Sequence, residues 1–85
     1  MRTMDRYGDF LSIAERLVVS PAWGHLRTAS REGQYVEESA VLGRITAGAE
    51  DVLLRAPVGG VFLGWIALEG ELVWQGTPLA RILGR

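Results

Sequence analysis

Eighty-five residues with no cysteine describe one small domain that neither disulfides nor thiolate-bound metal can staple. Nine arginines face ten acidic residues, for a formal net charge of −1, so no electrostatic pull toward nucleic acid or an anionic membrane is expected. The apolar runs are far shorter than the ~20 residues of a membrane helix, and Asp5, Asp9 and Glu15 argue against a signal peptide, which together predict a cytoplasmic protein.

In chain order, residues 1–15 are expected to form an N-terminal extension. Tyr7, Phe10, Leu11, Ala14 and Leu17 recur at helical spacing, and Asp5 is a candidate N-cap. The spacing predicts a short amphipathic helix, weakened by Gly8 and too short to stand without docking on something. Residues 16–85 carry no helical period. They read as two half-repeats, about 16–45 and 52–82, joined by a hairpin at 46–51.

The first copy runs SPAWGHLRTASREGQYVEESAVLGRI and the second APVGGVFLGWIALEGELVWQGTPLARI. Pro21 pairs with Pro57 and Gly24 with Gly60; after a one-residue insertion, Glu32 and Gly33 pair with Glu69 and Gly70. Val36 then matches Val73, Leu42 matches Leu79, Arg44 matches Arg81 and Ile45 matches Ile82. Each copy has a strand that stops at proline, a bend glycine, a second strand ending at a Glu-Gly turn, a short third strand and a last one. Strands of about five residues punctuated this often predict a sandwich or barrel.

The second copy resembles the C-terminal half of biotinyl and lipoyl domains, as in biotin carboxyl carrier proteins. The residues that carry the likeness are Ala56-Pro57, Gly60, Phe62, Glu69-Gly70, Val73, Gly76, Pro78-Leu79 and Ile82. The resemblance implies an all-β barrel-sandwich hybrid: a flattened β-barrel of two small antiparallel sheets with pseudo-two-fold symmetry. It also implies an acceptor lysine on the hairpin between the halves, to which biotin or lipoate is joined. Counting from Ile45 places Ala49 at that position, with Gly48 and Glu50 where methionines usually flank it. Amide formation needs a nucleophilic amine, whereas alanine offers a methyl group and arginine stays protonated. The chain contains no lysine at all. The resemblance therefore implies a degenerate, lysine-less member that cannot be biotinylated or lipoylated and carries no cofactor.

No other chemistry gathers in the sequence. A single histidine, His25, and no cysteine leave neither a catalytic triad nor a metal site beyond carboxylates, and no catalytic or metal-ligating residue is assigned. The Glu37-Glu38 and Glu50-Asp51 pairs are adjacent in sequence, and since neighbours on a strand face opposite sides, neither pair is expected to form a two-ligand site. Gly59, Gly60 and Gly64 do not match the spacing of a phosphate loop.

A surface does stand out. Fifty of the 85 residues are Ala, Val, Ile, Leu, Met, Phe, Trp or Gly, a larger share than the usual ~45–50%. Leu63, Leu68, Leu72 and Trp74 fall where the family pattern is polar, while their counterparts in the first copy are Arg27, Arg31, Tyr35 and Glu37. The second half-repeat is thus expected to expose an apolar patch, to which Phe10 and Leu11 of the extension are added as partner-binding candidates. Its cover would be the extension itself, a second copy in a homo-oligomer, or a protein partner. The leading expectation is a non-enzymatic interaction or assembly subunit, tied by the resemblance to an acyl-CoA carboxylase or 2-oxoacid dehydrogenase type complex. The alternatives are a non-covalent small-molecule carrier and a self-assembling structural subunit.

Overall fold

A computed structural model describes residues 14–84, and every regular element among them is a strand. They are β1 (Ala14–Val19), β2 (Gly24–Thr28), β3 (Tyr35–Val36), β4 (Val41–Ala47), β5 (Glu50–Arg55), β6 (Gly60–Trp65), β7 (Leu72–Val73) and β8 (Pro78–Gly84). One four-stranded sheet has the order β1-β8-β6-β3 and the other β5-β4-β2-β7, with every pairing antiparallel. The expected barrel-sandwich architecture is therefore present.

The repeat in the sequence is a symmetry of the fold. Exchanging β1–β4 for β5–β8 turns one sheet order into the other. Backbone hydrogen bonds repeat in the same way. Ser20 N donates to Thr77 O at 2.8 Å, and Ala56 N to Ala40 O at 2.8 Å. Gly33 N donates to Phe62 O and Gly70 N to Leu26 O, both at 2.7 Å. Each sheet thus draws strands from both halves, so neither half can form a sheet of this kind alone.

The core consists of matched pairs across the two-fold. Val18 and Leu54, Leu26 and Phe62, Val36 and Val73, Leu42 and Leu79, and Ile45 and Ile82 are all buried. The period-2 alternation of β2 and β6 aims Leu26 and Phe62 inward between the sheets. Trp65 packs against Phe62 with ring centroids 5.0 Å apart and donates its indole N–H to Ser30 O at 2.9 Å, so its one polar atom is satisfied. Gly24 and Gly60 occur where strands approach too closely for a side chain: a Cβ on Gly60 would collide with the Leu83 carbonyl oxygen.

Two expectations need correction. Ala14 and Leu17 belong to β1, where they pair with Gly84 and Arg81, so no helix runs through them. Backbone pairing with β8 overrides the helical spacing that the sequence shows there. The rest of the expected helix lies outside the described residues. The one-residue insertion is Leu63 itself. Arg27 stands opposite Arg44 and Gly64 opposite Arg81, with the register shifting between Phe62 and Gly64. Leu63 is the extra residue of a β-bulge, and the counterpart of Arg27 is Gly64.

Candidate functional site: the hairpin tip and the aromatic pair beside it

Strands β4 and β5 extend the sheet into an antiparallel ribbon that closes at Ala47 opposite Glu50. Gly48 and Ala49 are the two turn residues. Gly48 has φ +62° and Ala49 does not share the left-handed region, a pattern that fits a II′ hairpin turn and explains the glycine. Gly48, Ala49 and Glu50 are all exposed. Arg44 and Asp51 bridge the ribbon at 3.4 Å, as Arg81 and Glu15 do at 3.4 Å in the matching place on the other sheet. Both pairs are half exposed, so they orient the strands and contribute little stability. The two-fold relates the hairpin tip to the paired ends of β1 and β8, where Ala14 faces Gly84.

The group at the tip is the methyl of Ala49. It offers no nucleophile, no acid or base and no ligand. Among the described residues, no three His, Cys, Asp or Glu side chains cluster as a metal site would need. His25 is exposed on β2 and its Nδ1 lies 3.1 Å from Gly70 O, to which it donates.

Of the proposed partner-binding residues, Trp74 and Leu72 lie at or beside β7, the edge strand of the hairpin's sheet, and both are exposed. Leu68 is exposed in the turn between β6 and β7. Leu63 is half-buried in the bulge of β6, which belongs to the other sheet, so the four residues do not share one sheet face. Phe10 and Leu11 lie outside the described residues. The fold instead joins Trp74 to Trp23, with ring centroids 6.0 Å apart and planes tilted by 53°. Trp23 is 48% and Trp74 60% exposed. Gly24, the next residue after Trp23, abuts Ile45 and Thr46 at the root of the hairpin. The pair therefore flanks the ribbon. Comparing the halves could have revealed Trp23, whose counterpart is Gly59.

One carboxylate in the β6–β7 turn is held against the same sheet. Thr28 donates to Glu69 Oε1 through its backbone N–H at 2.6 Å and its hydroxyl at 2.9 Å, and Arg27 reaches Oε2 at 3.2 Å. These hydrogen bonds, the backbone one first, hold the Glu69 carboxyl below its ordinary value. The interaction ties the β6–β7 turn to β2.

A groove of about 620 Å³ lies at the end of the molecule away from the hairpin. Tyr35, Glu38, Gly59, Gly60, Val61, Leu83 and Gly84 form it. Gly59, one of its lining residues, is the counterpart of Trp23 in the other half.

The chain matches no protein-family model and no curated protein. Solved structures do share its fold. A single-chain, multi-domain long-chain acyl-CoA carboxylase superposes with a TM-score of 0.76 at 21% identity, over 84% of this chain and 7% of that one. The urea carboxylase of Kluyveromyces lactis gives 0.75 at 21% identity, over 82% of this chain and 6% of that one. A putative succinylglutamate desuccinylase / aspartoacylase family protein from Shewanella amazonensis gives 0.69 at 23% identity, over 81% of this chain and 20% of that one. The chain thus spans a small fraction of each of these much longer proteins.

Proposed function

We propose that this protein is a biotinyl/lipoyl-like module that cannot carry biotin or lipoate and acts non-enzymatically, as an interaction or assembly subunit. The observation that carries the reading is the exposed two-residue hairpin tip, whose presenting residue is Ala49. The frame of a carrier hairpin is present: a two-stranded ribbon, a tight turn and full exposure. The acceptor amine is absent, and with no lysine in the chain no neighbouring group can take its place.

Two carboxylases among the structures of like fold support an association with a carboxylase-type assembly. The same fold in a desuccinylase / aspartoacylase family chain means that fold alone does not select that partner. Trp23 and Trp74 supply the contact: two large half-exposed rings beside the hairpin form the kind of aromatic anchor on which protein interfaces concentrate their energy.

The test has two arms. Intact mass after co-expression with biotin and lipoate ligases should equal the bare polypeptide, and a gain of one biotinyl or lipoyl unit would end the reading. Tagged protein incubated with lysate should retain a carboxylase or dehydrogenase subunit, and retention should fail for Trp74→Glu. Recovery of neither subunit removes the association while leaving the mass result standing.

A further inference from the structure

β5 (Glu50–Arg55) ends the sheet β5-β4-β2-β7, and among the described residues β4 is the only strand it pairs with. In a two-residue hairpin the closing pair, here Ala47 and Glu50, exchanges both of its backbone hydrogen bonds. Alternation then turns the peptide groups of Val52 and Leu54 toward β4. Ala56 keeps the phase, donating its N–H to Ala40 O at 2.8 Å. The N–H and C=O groups of Asp51, Leu53 and Arg55 therefore point out of the sheet edge. Their side chains are exposed, whereas Leu54 is buried. An open edge of this kind is a template for another strand, and proteins blunt such edges with proline, lysine, bulges or very short strands. β5 contains no proline and no lysine, and the register shift beside it falls on β4. The edge strands β3 and β7, by contrast, are two residues long.

A second β5 fits this edge. Antiparallel pairing sets an outward-facing residue opposite another of the same kind. With Leu53 opposite its own copy, Asp51 stands opposite Arg55 of the second copy, and Arg55 opposite its Asp51. Every such pair exchanges both backbone hydrogen bonds, and opposite charges placed directly across a strand pair attract. Asp51 Oδ2 already engages Arg44 at 3.4 Å, and Arg55 Nη1 donates to Ser39 O at 2.9 Å. The carboxylate has a second oxygen and the guanidinium further N–H groups, so both can add the contact across the two-fold.

The symmetry-related edge lacks this match. There β1 turns out Glu15, Leu17 and Val19, and the same register sets Glu15 against Val19. Pairing β1 of one copy with β5 of the next would match Glu15 to Arg55 but set Val19 against Asp51, and it would propagate as an open chain. We propose that two copies of this chain join through β5, antiparallel about a two-fold at Leu53, with reciprocal Asp51–Arg55 ion pairs, into one continuous sheet that has the two β5 strands at its centre. The contact is one strand long and falls short of the roughly 800 Å² per partner of a stable interface, so the dimer is reversible. β7, with Trp74 beside it, stays at the far edge of each half. The inference therefore does not depend on the functional reading.

Sedimentation over a concentration series, with charge reversals, tests it. Asp51→Arg sets arginine against Arg55 across the two-fold, and Arg55→Asp sets aspartate against Asp51. Each variant alone should dimerise at least roughly tenfold more weakly than the parent, since like charges then face each other at both contacts. Mixed in equal amounts, the two variants present opposite charges at both contacts, and their heterodimer should form about as well as the parent dimer. That rescue also shows that both variants are folded, which circular dichroism checks directly. A parent that stays monomeric at about 1 mM, single variants that dimerise like the parent, or a mixture no tighter than its components would each overturn the proposal. Open chains in place of dimers would overturn it too, assigning the edge to β1 of the next copy.

Discussion

Trp23 and Trp74 meet with their ring centroids 6.0 Å apart, although fifty residues separate them and both remain about half exposed. A tilted aromatic contact of this kind contributes about 1 kcal/mol. It stiffens a surface that the core does not need. Trp74→Glu should therefore leave the protein folded, destabilised by about 1 kcal/mol or less. It should also abolish any assembly built on this side. Light scattering at high concentration, with urea unfolding of the same samples, checks both halves; an oligomer that survives the substitution would exclude the pair from its interface.

The hairpin geometry makes a gain-of-function test available. Ala49→Lys restores an amine at an exposed turn position whose backbone needs no left-handed conformation. Co-expression with a biotin or lipoate ligase should add one prosthetic unit, read by intact mass. An unmodified Ala49→Lys protein beside a modified carrier-domain control would show that this hairpin does not present its tip as a carrier does.

Two neighbouring glycines should respond to very different degrees. A Cβ on Gly60 meets the Leu83 carbonyl oxygen and lies 2.8 Å from the Gly84 Cα, both backbone, so relief requires moving β8. Gly60→Ala should cost about 1–3 kcal/mol or more. A Cβ on Gly59 finds its nearest atoms at 3.4 Å, in the groove wall, and Gly59→Ala should stay within about 0.5 kcal/mol. Thermal or urea unfolding of the two variants decides the matter, and equal losses would contradict so close an approach of β6 to β8.

The two-fold exposes a local strain. Ser39 has φ +72°, and its symmetry mate Gly76 has φ +89°. Both donate their N–H across the fold at 2.8 Å, Ser39 to Ala56 O and Gly76 to Ser20 O. Serine bears a left-handed cost that glycine does not, offset in part by the backbone freedom glycine loses on folding. Ser39→Gly should stabilise the protein by up to about 1 kcal/mol, and Gly76→Ser should do the reverse. Paired melting curves test this.

Glu69 predicts a pH dependence with a definite sign. Its carboxyl is held below its ordinary value by Thr28 first and Arg27 second. The folded state therefore favours the ionised form. The stabilisation is fully present above the unfolded-state value, near 4.5, and is lost as pH falls through the lower folded value. Glu69→Gln should lower the urea midpoint at neutral pH, with the gap to the parent narrowing below about pH 4. A gap that widens in acid would reverse the assignment.

The repeat is legible in the chain alone, and with it the strand count, three of the matched apolar pairs (Val36 with Val73, Leu42 with Leu79, Ile45 with Ile82) and the midpoint hairpin. These are local or pairwise properties: proline ends a strand, Glu-Gly makes a turn, and apolar residues recur at fixed offsets. The absence of an amine at Ala49 is likewise a property of composition. Which surfaces lie together emerges only in three dimensions. Each sheet interleaves strands from both halves, so a greasy second half does not make a greasy side: Leu63 and Trp74 part company, while Trp23 joins Trp74 and Leu17 joins Val61's face. Register settles the rest. An alignment cannot say which residue of a run is the inserted one, but hydrogen-bond pairing with β8 can, and it names Leu63. The same pairing draws Ala14 and Leu17 into β1 against their helical spacing. Strand partners are non-local, and one chain's periodicity carries no information about them.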